Sequence, residues 1–282
     1  MSLTFFGVRG SYPVPGKNTL RYGGNTSSIL FEINGQTVIF DAGTGIVQAG
    51  RYLDQSLENG GKIHLFLTHL HIDHIQGLPF FKPLFNPQME IIIHCPEIPG
   101  NSFRQAIEAL FLPPYSPITL QGIKASLSFQ PLEPDPAKNL IRLDYDIVVS
   151  HVKHDSHPRL GVIIYQLAHG GRRVVFATDV ESPDGFDAAI SRFINGADIL
   201  IHDSQYLDAD YINAGNSKKG YGHSTVSMAV RNAEQCKVNK LFLFHFNPEY
   251  TDEKLDEMLT QARQKFNNTC LAQEQKKISI RR

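Results

Sequence analysis

A chain of 282 residues has room for one large domain or two small ones, and 41% hydrophobic with 20% charged residues is enough to bury a core without disulfides. Its 27 basic and 28 acidic residues leave a formal net charge of −1, which excludes a basic footprint spread over the whole chain. Cys95, Cys236 and Cys270 form neither a disulfide framework nor a CxxC site, and no stretch approaches the roughly 18 consecutive apolar residues of a membrane span.

Short β-type runs are predicted at residues 3–8, 28–33, 37–41, 63–68, 90–95, 124–130, 145–152, 162–168, 173–178, 197–202 and 240–246. Asn34-Gly35 between the second and third runs signals a tight hairpin, because this pair accepts positive φ angles. Helical periodicity falls between the runs. Phe103, Ile107, Leu110 and Phe111 share one face, and so do Phe186, Ala189, Ile190 and Phe193. Val226, Ala229, Val230 and Ala233 form a third stripe, with Leu255, Met258, Leu259, Ala262 and Phe266 a fourth. These stripes are expected to face the core. A strand-rich start that passes into strand–helix alternation, twice over, predicts an α/β protein with two mixed sheets packed together and helices outside. One domain over residues 1–272 is expected. Residues 111–117 read as a surface loop and residues 273–282 as a weakly ordered basic tail. With no cationic start leading into a long apolar run, a soluble cytoplasmic protein is expected.

The informative excess is histidine, with 12 in the chain. The apolar run at residues 63–67 leads into Thr68-His69-Leu70-His71-Ile72-Asp73-His74. In extended backbone His69 and His71 project to the same side. Asp73 and His74 follow where the chain must turn, before Gly77 and Pro79. Three imidazoles and a carboxylate at a strand's end cost stability unless something coordinates them. Their nitrogens and oxygens suit Zn²⁺, and also Mn²⁺ or Fe²⁺. Two further residues carry the same logic. Asp179 follows the apolar run Val174-Val175-Phe176, and His245 interrupts the apolar run at residues 241–246.

The segment His69–His74 resembles the HxHxDH signature of metallo-β-lactamase-fold hydrolases. Gly7-Val8-Arg9-Gly10-Ser11, Asp41-Ala42-Gly43-Thr44-Gly45, Ala177-Thr178-Asp179, Gly222-His223-Ser224-Thr225 and Leu243-Phe244-His245 are similar to the phosphodiesterase branch of that family. That branch includes cyclic-phosphate phosphodiesterases and, more distantly, tRNA 3′-processing ribonucleases. The resemblance implies a four-layer αββα sandwich and two divalent metal ions, Zn²⁺ foremost. One ion would be held by His69, His71 and a third histidine, the other by Asp73, His74 and His245, with Asp179 bridging. His157, in the pair His157-Pro158, is the assignment for the third histidine, with His154 and His151 as rivals nearby.

Two cations would lower the pKa of a water between them, so hydroxide is the expected nucleophile and no Ser or Cys is needed. Asp73 would also orient that hydroxide and help take its proton. His223 is the expected general acid, in a loop where Ser224 could cap the next helix, and Asp203 could hydrogen-bond its ring. Arg9, Ser11, Asn25 and Thr26 lie in loops that could meet a phosphate or simply make turns. Phe80, Phe81, Phe85, Phe111 and Tyr115 could wall a pocket, although core packing explains them as well. His64, His94, His169 and His202 lack ligand spacing. The expected substrate is a small or cyclic phosphodiester, and a homodimer is compatible with the sequence. A tRNA 3′-processing endoribonuclease is the alternative, but nucleic acid is not favoured: residues 96–117 offer Arg104 alone as a basic residue. Lactone or thioester hydrolysis would share the metal ligands without obvious need of His223.

Overall fold

The computed structural model describes all residues except 58, 97–101, 115, 133–138, 156–160, 213–214, 216 and 282. They group by contacts into two units, Met1–Pro13 with Asn25–Pro134 and Glu274–Arg281, and Val14–Gly24 with Asp135–Gln273. The first unit carries strands β1 (Ser2–Gly7), β2 (Ser28–Ile33), β3 (Gln36–Phe40), β4 (Gly61–Phe66), β5 (Met89–Pro96), β6 (Ser126–Leu132) and β14 (Lys277–Ser279). They form one mixed sheet in the order β14-β1-β2-β3-β4-β5-β6. Helices α1 (Gly45–Ser56), α2 (Ile72–Ile75) and α3 (Phe103–Ala109) lie on the connections between its parallel strands.

The second unit carries β7 (Leu140–Asp144), β8 (Ile147–His154), β9 (Val162–His169), β10 (Arg172–Ala177), β11 (Ile199–Asp203), β12 (Leu241–Phe244) and β13 (Thr269–Leu271). Its mixed sheet runs β13-β12-β11-β10-β9-β8-β7, with helices α4 (Ala188–Ile194), α5 (Asp208–Tyr211), α6 (Val226–Gln235) and α7 (Asp252–Lys265). The two sheets share one plan. Three antiparallel pairings are followed by three parallel ones, and the change comes at β3/β4 in the first and β10/β11 in the second. In open α/β sheets the carboxyl ends of parallel strands are where functional groups gather. This plan therefore picks out the residues that follow β3, β4, β10, β11 and β12.

The expected alternation is found, with strand ends shifted by a residue or two. Asn34 and Gly35 take φ values of 47° and 82°, the left-handed pair the tight turn requires. The α6 and α7 stripes are buried through Val226, Ala229, Val230 and Ala233, and through Leu255, Met258 and Ala262, whereas of the expected stripe at α4 only Ile190 is buried: Ala189 is exposed, Phe186 and Phe193 are half-buried, and Ile194 is buried instead. Helix α1 was not expected from the sequence. Its buried face is Ile46, Ala49, Gly50 and Leu53, where small residues dilute the apolar stripe. Those small residues serve close packing: a Cβ on Gly50 would stand 2.9 Å from the Phe81 ring.

Two local expectations are corrected. Residues 273–282 are not a loose tail: β14 pairs antiparallel with β1, and Glu274 accepts hydrogen bonds from Asn25 N at 2.6 Å and Asn25 Nδ2 at 2.8 Å. Ser224 does not cap α6. Thr225 does, accepting from Met228 N at 3.3 Å, while Ser224 Oγ donates to Val180 O.

Two unassigned histidines pack within the first sheet. His64 Nδ1 and His94 Nε2 stand 3.0 Å apart, and the His94 ring stacks on Phe66 at 4.2 Å. Burial lowers His64 to about 4 and His94 to about 3, so both rings are neutral near pH 7. At least one of the two rings must be neutral to accept that hydrogen bond, since two imidazoliums would both be donors. Among the described residues, no helix is long and apolar enough to cross a membrane.

Candidate metal centre

In the first unit, His69, His71, Asp73 and His74 all lie in the segment that leaves the carboxyl end of β4. The His69 ring centroid is 4.4 Å from that of His71 and 4.3 Å from that of His74. His74 Nε2 lies 3.3 Å from Asp73 Oδ2. His69, Asp73 and His74 are buried, whereas His71 is exposed. Ser11, at φ 64°, turns its backbone N–H onto Asp73 Oδ2 at 2.8 Å. Gly43 lets the backbone pass close by, because a Cβ there would stand 2.2 Å from Asp73 O.

Asp41 organises this group, and sequence reasoning did not single it out. It follows β3 at φ 60°, fully buried. Asp41 Oδ2 accepts from His74 Nδ1 at 2.7 Å and from Ser27 Oγ at 2.9 Å, and Oδ1 accepts from Thr68 N at 2.9 Å and Thr68 Oγ1 at 3.0 Å. A carboxylate only accepts, so His74 carries its proton on Nδ1 and keeps the Nε2 lone pair for a ligand. The Thr68 hydroxyl spends its proton on Asp41. It must then accept from His69 Nδ1, 3.0 Å away, which leaves His69 Nε2 as a lone-pair donor too. One buried carboxylate thus fixes the tautomers of two histidines, the usual supporting role around a metal.

In the second unit, Asp179 follows β10 at φ 56° and His245 follows β12 at φ 60°. His245 Nε2 lies 3.3 Å from Asp179 Oδ2, and the Thr178 hydroxyl donates to the same oxygen at 2.6 Å. Asp203 ends β11, and Asp203, His223 and His245 offer ligand atoms within 4.8 Å of one another. Left-handed backbone at Asp41, Asp179 and His245 costs about 1–3 kcal/mol each. Three such residues at three parallel-strand ends point to a function that repays the strain.

The His223 loop is held from both sides. His223 Nδ1 donates to Asp203 Oδ2 at 2.8 Å, and Asp203 Oδ1 accepts from Gln205 N and Ser224 N, each at 3.1 Å. Glu181 braces the other side, accepting from Gly220 N at 2.7 Å, Gly222 N at 2.8 Å and the Tyr211 hydroxyl. With Nδ1 committed to Asp203, Nε2 is the atom His223 can offer to chemistry. The Tyr206 ring lies 6.2 Å from His223; burial first, and then the Asp203 charge, push its phenol up, so it stays neutral.

The donors fit divalent metal. Two ligand atoms about 2.0–2.2 Å from one ion stand roughly 3–3.5 Å apart. His74 Nε2 to Asp73 Oδ2 and His245 Nε2 to Asp179 Oδ2 are both 3.3 Å.

Other expected residues fall elsewhere. His157 lies outside the described residues. His154, half-buried at the end of β8, has Nε2 3.4 Å from Glu181 O and its ring against Phe186, while His151 is buried near Tyr165. Arg9 is fully buried beside Glu274. Asn25 binds Glu274, and Thr26 exchanges hydrogen bonds with Thr44 at 2.9 Å, so these two make the turn. Of the aromatic set, Phe81 and Phe111 are core, Phe85 is half-buried, Phe80 is exposed, and Tyr115 lies outside the described residues.

The family model described as "Beta-lactamase superfamily domain" matches residues 36–246. Ribonuclease Z of Picrophilus torridus is 24% identical, covering 99% of this chain and 95% of the relative. A diphosphatase from the PhnP family has TM-score 0.70 at 18% identity over 99% of this chain and 98% of that one. Human tRNase Z, short form, has TM-score 0.68 at 23% identity, covering the whole of both chains. The match covers the candidate ligand residues of each unit, and the shared fold is that of the metallo-β-lactamases: the chain belongs to the beta-lactamase superfamily.

Proposed function

We propose that the candidate ligands of the two units form one binuclear centre, within a single hydrolase domain that includes β14, that cleaves a small or cyclic phosphodiester. His69 and His71, with His157 as third histidine, hold one cation. Asp73, His74 and His245 would hold the other, and the Asp179 carboxylate would serve both. Two Zn²⁺ ions are the first choice, with Mn²⁺ or Fe²⁺ as substitutes. A cytoplasmic location belongs to the same proposal.

When bound, the cations supply Lewis acidity that activates a water and neutralises phosphoryl oxygens. Asp73, oriented by the Ser11 N–H, accepts the proton of the attacking water. His223 delivers the proton on Nε2 to the leaving oxygen, while Asp203 holds Nδ1 and stabilises the imidazolium form. The observation that carries this reading is the His223–Asp203 pair. A thioester expels a thiolate and has little need of a positioned acid, and an ester or lactone expels its alkoxide from a carbonyl addition intermediate that collapses readily. A phosphodiester expels an alkoxide, for which protonation matters most.

A second reading, tRNA 3′ processing, is favoured by the near end-to-end match to the Picrophilus ribonuclease Z. Against it, Arg104 is the sole basic residue of 96–117, and its Nε is engaged by Glu108 Oε1 at 2.8 Å. Phosphate-backbone affinity needs several free cations. A substrate panel decides. With Zn²⁺ or Mn²⁺, the protein is expected to hydrolyse bis(p-nitrophenyl) phosphate and a 2′,3′-cyclic nucleotide, and to leave a lactone, a thioester and a precursor tRNA intact. Cleavage of the precursor tRNA with weak diester turnover would replace the first reading by the second, and lactone or thioester cleavage alone would overturn both.

A further inference from the structure

The first unit holds a cavity of about 430 Å³ beside the metal-ligand segment, within the usual size of small-molecule sites. Ile72, which separates His71 from Asp73, lines it together with Phe80, Leu110, Pro117 and Ile118. Phe80 is 69% exposed and Ile72 56% exposed, although both are large apolar side chains. Among the described residues, no charged side chain lines this cavity. Two of its polar groups are engaged: Gln76 Nε2 donates to Thr26 Oγ1 at 3.2 Å, and Ser116 Oγ donates to Ile118 O at 2.8 Å and accepts from Ile118 N at 3.1 Å.

We infer that this cavity binds the non-leaving half of the phosphodiester, and that this half carries a flat, uncharged aromatic ring, a nucleobase among the candidates, held by stacking on Phe80. The inference rests on the phosphodiesterase reading and narrows its substrate class. Ile72 lies between His71 and Asp73 in the chain, so one wall of the cavity starts a single residue from two of the candidate ligands, a short span for a group joined to the phosphorus. Walls with no charge and few free hydrogen-bonding groups repel a second phosphate and a carboxylate, which would be desolvated without a partner. They gain from an aromatic face, which buries area and stacks edge or face on Phe80. Ring edges find little to hydrogen-bond, so discrimination between rings of similar size is weak.

Calorimetry on the full, metal-loaded chain tests this with two probes that share one anionic head, phenylphosphonate and methylphosphonate. The parent is expected to bind phenylphosphonate about tenfold tighter, the order of loss seen when a stacking ring is removed. Phe80→Ala is expected to abolish the difference by weakening phenylphosphonate alone, and Phe80→Tyr to keep it. Equal affinities in the parent, or a preference that survives Phe80→Ala, overturn the inference. An aromatic preference in a protein that cleaves no diester would leave the cavity assignment standing and remove the phosphodiesterase reading. Failure to bind either phosphonate would overturn both.

Discussion

His223→Ala is expected to lower kcat by about 10²–10⁴-fold on a diester with an alkoxide leaving group, the range of a positioned general acid. On bis(p-nitrophenyl) phosphate the loss is expected to be tenfold or less. p-Nitrophenolate is a weak base and departs with little help from a proton. The contrast between leaving groups isolates proton donation, because damage to metal binding would depress both substrates equally. Asp203→Asn should follow the same pattern. Its amide keeps an oxygen for Gln205 N and Ser224 N but no longer fixes the proton on His223 Nδ1. Steady-state kinetics on the two substrates, with metal content checked in each variant, make the measurement. An equal loss on both substrates, or none on the alkyl ester, removes His223 as the acid.

The second large effect is expected at Asp41. Asp41→Ala strands the Thr68 N–H, the Ser27 hydroxyl and His74 Nδ1 inside the first unit, and places alanine at φ 60°. Each stranded buried group costs about 1–3 kcal/mol, and left-handed backbone adds about 1–2 kcal/mol. A loss of about 4 kcal/mol or more in urea denaturation is expected, with metal affinity down by about 10–100-fold. Asp41→Asn keeps one acceptor and tolerates left-handed backbone, so it should lose roughly half as much. If Asp41→Ala unfolds within about 1 kcal/mol of the parent, its carboxylate does not hold the tautomers as described.

The contiguous candidate donors were the most legible part of the sequence. His69, His71, Asp73 and His74 sit within six positions, and donors crowded at the end of an apolar run have few other uses. Asp179 and His245 were legible for a related reason, as polar residues that break apolar strands. Asp41 was not. Its role depends on His74, 33 positions away, and a lone Asp after a strand reads as a turn. The sign it does carry, left-handed backbone shared with Asp179 and His245, is written in φ angles and not in letters. Glu181 was hidden likewise, since its partners are two backbone amides of a Gly-rich loop and the hydroxyl of Tyr211, 30 positions away.

The fold followed the same division. Central strands announced themselves through continuous apolar runs, whereas the edge strands β7 and β14 alternate half-buried and exposed residues and were missed. Helix α1 hid because glycine and alanine supply much of its packing face. The neighbours Phe80 and Phe81 show how little composition says about direction: one fills the core, and the other faces the cavity beside the ligands. Ser224 and Thr225 are equally good caps by chemistry, and Val180 O, which claims the Ser224 hydroxyl, decides between them.

Elemental analysis of the full chain, after saturation with Zn²⁺ and removal of free ion, tests the joining of the candidate ligands of the two units most directly. Two ions per parent chain are predicted, falling to one or fewer in Asp179→Ala, because the bridging carboxylate belongs to both. One ion or none in the parent at saturating supply, or two retained without the Asp179 carboxylate, would contradict a shared centre.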